Sequence, residues 1–282
     1  MAGKRYIGLD IGGSKIEAIL WQRGKVLRSI KVKTPQTKRQ FFSTLFKVIE
    51  DIAANDKFSG IGIAVAGALD HKLELIYKSP NLPFLNGVRL GKLIERKMRT
   101  RVRFDNDTNC FLRAEARIGQ GRDKKNIVAL TIGTGVGGAV ISEGEFIIGT
   151  HGSAAELGHM IISKEKNKFM SAEALVSKHG FRRLGVKKPL DAQNKAFAGD
   201  KKSIEVYREI GKFLGLALAN FINIFDPEII ILGGGISRAR ELLLVPAKRE
   251  MSKHVLLPRN KLPRVVVSKL AHAGAIGAAL LF

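Results

Sequence analysis

Two stretches of this chain are written to one plan. Residues 6–27 read YIGLDIGGSKIEAILWQRGKVL, and residues 126–148 read NIVALTIGTGVGGAVISEGEFII. Each is an apolar run, a glycine-rich turn, a second apolar run, a further turn with a glycine (Gly24, Gly144) and a third short run. Alternating apolar and polar residues, with glycine at the reversals, predict a β-meander in both places. A unit used twice within 282 residues predicts two related lobes.

The intervening sequence alternates between helical and extended patterns. Helical spacing over 39–54 precedes a strand over 60–66, and a basic amphipathic helix over 89–99 leads to a strand over 101–105. Further helices are predicted over 107–117 and 203–224, a strand over 228–232 and a last helix over 274–281. Strands interleaved with helices argue for the α/β class. No low-complexity linker marks a boundary. The restart of the meander predicts a small lobe over 1–110, with the C-terminal helix of 272–282 packed back on it, and a larger lobe over 111–271.

Composition narrows the class. Hydrophobic residues at 45% and charged residues at 26% exclude a disordered or fibrous chain. No apolar run reaches the roughly 18 residues of a membrane span, and Asp10 arrives too early for a signal peptide. No membrane partner and a cytoplasmic location are therefore expected. The single Cys110 excludes an internal disulfide framework and a multi-cysteine metal site. The net charge of +23 includes seven basic side chains between Arg89 and Arg103 against Glu95 alone. With one Trp and three Tyr available for base stacking, this is read as a solvated basic face.

The glycine turns carry the first chemistry. Gly133-x-Gly135-x-x-Gly138 has the spacing of a dinucleotide fingerprint, but that motif opens a helix, and the AVIS that follows reads as a strand. What remains is a pair of hairpins, Gly12-Gly13-Ser14 and Gly133-Thr134-Gly135, whose backbone N–H groups can approach an anion. They are read as opposed phosphate cradles. Asp10, at the entry to the first, suits a hydrated magnesium or a self-bonded turn. Lys15, just after it, suits phosphate or solvent. Asp107, where a strand gives way to a helix, is either an N-cap or a general base. Glu156, His159 and Glu173, framed by Gly152 and Gly158, suit vicinal hydroxyls. Glu156-x-x-His159 is one residue short of the zinc-binding helical spacing.

Taken in order, several segments resemble the ROK family of sugar kinases and sugar-responsive repressors, within the actin/hexokinase superfamily. They are Asp10 to Lys15, Ser79-Pro80-Asn81-Leu82, Asn106-Asp107-Thr108-Asn109, Leu130 to Gly138, Gly149 to His159 and Ile229 to Ser237. The resemblance implies a two-lobed actin-like (ribonuclease H-like) ATPase fold with an active-site cleft between the lobes. It implies ATP-dependent phosphorylation of a hexose, usually at the 6-hydroxyl, with glucose as the default sugar and Mg2+ arriving with ATP near Asp10. Asp107 matches the catalytic base, and Asn81, Asn106, Glu156, His159 and Glu173 match positions that hold the sugar. Asp10, Gly12, Gly13, Ser14 and Lys15 match one phosphate loop, and Gly133, Thr134 and Gly135 the other. Gly233, Gly234 and Gly235 match the adenosine loop. A homodimer is expected as well.

The departures matter. Many family members place CxCGxxGCxE after the motif histidine and bind structural zinc there; this chain has KEKNKFMSAE over 164–173. Glu173 remains and every cysteine is absent, so no structural zinc is expected and something else must order the segment. Ala155 stands for the usual Gly, and Ser14 for the usual Thr. The repressors carry an N-terminal helix-turn-helix, whereas here the first phosphate loop begins at residue 10, so no sequence-specific DNA partner is expected. Two alternatives stay open: a glucokinase that uses polyphosphate, whose basic groove would show strong salt dependence, and a non-catalytic sugar or polyanion sensor on the same scaffold.

Overall fold

The computed structural model describes residues 3–70 and 75–282. The chain divides into two units, the first being Met1–Arg122, Ile148–Ala154 and Leu270–Phe282, and the second Asp123–Ile147 and Ala155–Lys269.

The first unit opens with the meander β1 (Arg5–Ile11), β2 (Lys15–Gln22) and β3 (Lys25–Lys33), then α1 (Lys38–Ala53), β4 (Ile61–Val65) and the small hairpin β5 (Ala68–Asp70) and β6 (Leu75–Lys78). It continues through α2 (Leu90–Met98), β7 (Val102–Asn106) and α3 (Asp107–Ile118). Its sheet has the order β3-β2-β1-β4-β7, antiparallel through the meander and parallel from β1 to β7. β3 alternates at every residue between exposed and half-buried, as an edge strand does, while β4 is buried throughout. α1 turns Phe41, Leu45, Val48, Ile49 and Ile52 into the core, a helical stripe, and ends where Ala54 adopts a left-handed conformation.

The second unit repeats the plan with β8 (Ile127–Ile132), β9 (Val136–Ser142) and β10 (Glu145–Phe146). The hairpin β11 (Ile161–Glu165) and β12 (Lys168–Ser171) follows, then α4 (Ala172–Val176), α5 (Lys178–Arg183), α6 (Pro189–Phe197) and α7 (Lys201–Phe225). β13 (Ile229–Gly233), α8 (Glu241–Met251) and β14 (Arg264–Val267) complete it. Its sheet order, β10-β9-β8-β13-β14, reproduces the first sheet position by position, with the same change from antiparallel to parallel. β9 continues straight through Gly137 and Gly138, so no helix opens at these glycines.

The last helix, α9 (Ala273–Ala279), lies against β1, β4 and α3 of the first unit. Its approach is close because three glycines remove side chains from the contact. A Cβ on Gly8 or Gly62 would run into the carbonyl oxygen of Ala275 or Ala278, and one on Gly277 into the carbonyl of Cys110. α3 lies wholly in the first unit, on both sides of residue 110.

Candidate active site

The first glycine turn is a cradle built from the backbone. Gly12 N–H donates to the Lys15 carbonyl, 3.0 Å away, closing the hairpin between β1 and β2. Thr34 donates from Oγ1 to the Gly12 carbonyl (2.7 Å) and from its N–H to that of Ser14 (3.1 Å), and Gln36 Nε2 donates to that of Gly13 (3.2 Å). The carbonyls are occupied, and the N–H groups of Gly13 and Ser14 have no partner among the described residues. That polarity suits an anion. Asn81 stands beside this turn, its Cβ 2.5 Å from where a Cβ on Gly13 would lie, so any side chain at Gly13 would displace it.

Lys15 has another occupation. Its Nζ lies 3.3 Å from Glu17 Oε2, and Glu17 Oε1 meets His272 Nδ1 at 3.0 Å. Glu17 is buried, which by itself would push its carboxyl up. The Lys15 charge and the His272 hydrogen bond outweigh that and hold it below the usual range. Lys15 is thus tethered beside the turn rather than free in solvent.

Asp10 is the next-to-last residue of β1 and lies against the backbone at Gly274, where a Cβ would come within 2.7 Å of Oδ2. Desolvation, reinforced by the Asp107 charge, pushes its carboxyl up to about 7. The Asp107 charge acts on Asp10 against Lys15 and Lys31, which lower its pKa, and the two carboxyl groups offer hard oxygens. That fits a hydrated magnesium ion, which prefers a few carboxylate contacts and keeps water. Zinc is different: Lys164, Lys166 and Ser171 stand where the family motif has cysteines, and two cationic side chains are not ligands. Among the described residues no three His, Cys, Asp or Glu side chains cluster as a metal site.

The strand-to-helix corner takes the N-cap role away from Asp107. Asn106, not Asp107, is the N-cap of α3: its Oδ1 accepts from Thr108 N–H at 2.8 Å and Asn109 N–H at 3.4 Å. The reason is register. β7 ends at Asn106 with extended backbone angles, so the capping geometry falls there and Asp107 becomes the first helical residue. Asp107 Oδ1 accepts from Thr108 N–H (2.9 Å), and Oδ2 has no partner among the described residues. Burial raises the Asp107 pKa, against hydrogen bonds from Thr108 that lower it. Asn106 Nδ2 donates to the Gly67 carbonyl (3.2 Å), so its amide is already engaged at both ends.

Asp105, one residue earlier, drew no attention in the sequence because a carboxylate inside a strand carries no motif. It is 4% exposed; its Oδ1 accepts from Asn106 N–H (2.7 Å) and Asn109 Nδ2 (2.9 Å), and its Oδ2 pairs with Arg113 (3.1 Å). It therefore braces the corner that carries Asp107.

The second glycine turn is held from α4 and α5. Gly133 N–H donates to the Gly135 carbonyl (2.9 Å), Lys178 N–H donates to the Gly133 carbonyl (3.0 Å), and Glu173 Oε2 accepts from Val136 N–H (2.9 Å). Thr134 is the exposed tip. Glu156 and His159 are exposed at either end of a 3-10 turn, Leu157–His159. Ala155 has φ of 62°, the left-handed region that favours the glycine it replaces.

A hairpin, two helix caps and core packing hold the segment after His159. β11 and β12 form a hairpin, Ser171 Oγ caps α4 by accepting from Ala174 N–H (3.2 Å), and Ser177 Oγ caps α5. Ile162 and Met170 pack on the core from the hairpin, and Ala172, Leu175 and Val176 are buried in it. An Arg183–Glu165 ion pair ties the hairpin to α5.

Gly233 ends β13, and Gly234, at φ of 86°, lies so near the Ile132 backbone that no side chain fits. Gly235 and Gly133 line one cavity of about 250 Å³ with Pro189, Leu190, Ile236, Arg238 and Lys178. The sequence reading missed this cavity, since nothing about α6 marks it as a wall. Tyr207 Oη fixes α6 by donating to the Pro189 carbonyl (3.0 Å).

The sequence model of the ROK family matches residues 6–282. This chain belongs to the ROK family. It is 31% identical to the glucokinase of Thermotoga maritima, across 98% of this chain and 96% of that protein. It is 29% identical to the N-acetyl-D-glucosamine kinase of Pectobacterium carotovorum subsp. carotovorum, across 98% of each. The crystal structure of a ROK family glucokinase from Streptomyces griseus, in complex with glucose and AMPPNP, superposes with a TM-score of 0.86 at 25% identity over 98% of each chain. The ROK protein described here has the two-lobed actin-like α/β fold and is a sugar kinase, a phosphotransferase. No helix among its described residues is long and apolar enough to cross a membrane.

Proposed function

We propose that this ROK kinase transfers the γ-phosphoryl group of ATP to the 6-hydroxyl of a hexose, glucose first among them, with Asp107 as the general base. The observation that carries the reading is Asp107 itself: one oxygen is pinned by Thr108 at the start of α3, and the other is free for a substrate proton. A partly desolvated carboxylate with a raised pKa is a stronger base than one in water. As the hydroxyl oxygen attacks the γ-phosphorus, its proton passes to Asp107 Oδ2 while the bond to the β-phosphate oxygen breaks and ADP leaves.

The rest of the machinery positions and neutralises. The N–H groups of Gly13, Ser14, Thr134 and Gly135 take phosphate oxygens, and the cavity at Gly133 and Gly235 takes adenosine against Pro189, Leu190 and Ile236. Asp10 would hold a magnesium ion that arrives with ATP, and such an ion would supply charge neutralisation at the phosphates. Asn81, Glu156, His159 and Glu173 hold the sugar hydroxyls, with Asn106 contributing what its capping role leaves. The relatives named as glucokinases favour glucose, and the one named as an N-acetyl-D-glucosamine kinase keeps the amino sugar open.

Long-chain polyphosphate is the alternative donor, because all seven basic side chains between Arg89 and Arg103 are exposed. ATP is favoured by the apolar walls of the cavity, which suit a base that polyphosphate lacks. The test is phosphorylation of a hexose panel with magnesium and either donor, with Asp107→Asn as the blank. Turnover with ATP, reduced at least about a thousandfold in the variant while sugar binding persists, supports the reading. Unchanged turnover removes Asp107 from the mechanism. Turnover with polyphosphate alone reassigns the donor, and sugar binding without turnover leaves a sensor.

A further inference from the structure

Glu173 makes a contact that a residue devoted to sugar has no need to make. It lies in the first turn of α4, whose N-cap is Ser171. Its Oε2 accepts the N–H of Val136, the first residue of β9 after the second glycine turn, at 2.9 Å. The same oxygen lies against Gly135, where any Cβ would overlap it. Five residues further on, Lys178 N–H holds the carbonyl of Gly133, the other end of the turn, at 3.0 Å. The segment 173–178 thus grips the turn on both sides, through a backbone bond at Gly133 and a side-chain carboxylate at Val136. Oε1 of Glu173 has no partner among the described residues.

We infer that Glu173 is a positioning residue for the phosphoryl donor: one carboxylate oxygen fixes the turn Gly133-Thr134-Gly135 while the other is left for the sugar, so that one side chain ties acceptor to donor geometry. This rests on the reading of the turn as a donor-phosphate cradle and of Glu173 as a sugar contact. The physical argument is that a cradle of backbone N–H groups works only if those groups are aimed before the phosphate arrives. The carboxylate makes a charge-assisted bond to the residue that leaves the turn, and such a bond is roughly twice as strong as a neutral one. It also fills the space above Gly135, which keeps that peptide from rotating.

The test measures nucleotide binding in the absence of sugar, where a pure sugar ligand has no role. Isothermal titration of Mg-AMPPNP is run on the full chain, wild type, Glu173→Gln, Glu173→Asp and Glu173→Ala, with glucose binding and the melting temperature measured in parallel. Glu173→Gln keeps an acceptor oxygen at full reach but makes a neutral bond in place of the charge-assisted one, so it is expected to weaken nucleotide binding less than Glu173→Asp does, by no more than about fivefold, while losing sugar affinity. Glu173→Asp keeps the charge but falls a methylene short of Val136, and together with Glu173→Ala it is expected to weaken sugar-free nucleotide binding about five- to twentyfold. Nucleotide affinity unchanged in both Glu173→Asp and Glu173→Ala overturns the inference and leaves Glu173 as a sugar contact only. If Glu173→Ala fails to fold, Glu173→Asp against Glu173→Gln decides the same point. Wild-type protein that binds no nucleotide overturns the underlying reading as well, which separates the two failures.

Discussion

Gly277→Ala sets local propensity against tertiary packing. Gly277 sits inside α9, and on helix propensity alone alanine there is better by about 1 kcal/mol. The packing says otherwise. A Cβ would overlap the carbonyl of Cys110 in α3 and come within 2.8 Å of its Cα, and these are backbone atoms that no rotamer change can move. α9 must lift from α3, and with it the buried Ala275, Ile276, Ala278 and Ala279 lift from β1 and β4. Overpacking of a well-filled contact costs about 1–3 kcal/mol. The upper end applies where the clash is backbone on backbone, leaving a net loss of about 2 kcal/mol after the propensity gain. For a chain of this size that is a fall of about 4–8 °C in melting temperature. Activity falls too, since Cys110 lies one turn from Asp107 on the same helix, and a displacement of ~1 Å at a reacting group costs up to about a hundredfold. Thermal unfolding followed by circular dichroism, with kcat on the best sugar, reads both. A melting temperature equal to or above wild type, with kcat unchanged, would refute the packing argument.

Asp105→Asn removes the charge facing Arg113 inside the corner that carries Asp107; a loss of about 3 kcal/mol in urea unfolding, with kcat reduced more than the sugar KM is raised, is expected. Ser171→Ala takes away the cap of α4 and should cost about 1 kcal/mol, whereas a chelator should leave the melting temperature of the wild type within about 1 °C, because caps and packing order this segment. A chelator-induced loss of structure would show that metal holds it. Backbone N–H groups of Asn126 and Lys125 hold the carboxyl of Glu228 below its usual range. A depressed folded pKa gives stability that is present above the unfolded value and lost as pH falls through the folded one. The gap between wild type and Glu228→Gln should thus be constant near neutrality and close below about pH 4.5. At this exposed site it is worth under about 1 kcal/mol.

Much of the architecture is a local property of the chain and could be read as such. Helical spacing over 39–54 became α1 at Lys38–Ala53, the pattern over 203–224 became α7 at Lys201–Phe225, and both meanders formed where the glycines turn them. Periodicity survives in one dimension because it records which face of an element is buried, whatever buries it. The duplicated sheet order follows from the same repeat.

Partner choice has no such record. That Asn106 caps α3 and leaves Asp107 uncapped depended on where β7 ends, a matter of one residue in sheet register. Lys15 is tethered because Glu17 is held by His272, 255 residues further along, once α9 lies on β1. Glu173 reaches Val136 only after the segment at 161–171 has folded as a hairpin and α4 has docked on the core. Gly133 and Gly235 share a cavity because β8 and β13 are neighbours in the sheet and end side by side. The sequence determined the elements and the inventory of reactive groups. Tertiary structure decided which of those groups are free, because a hydrogen bond is satisfied by whatever the fold brings within about 3 Å, however far away in the chain.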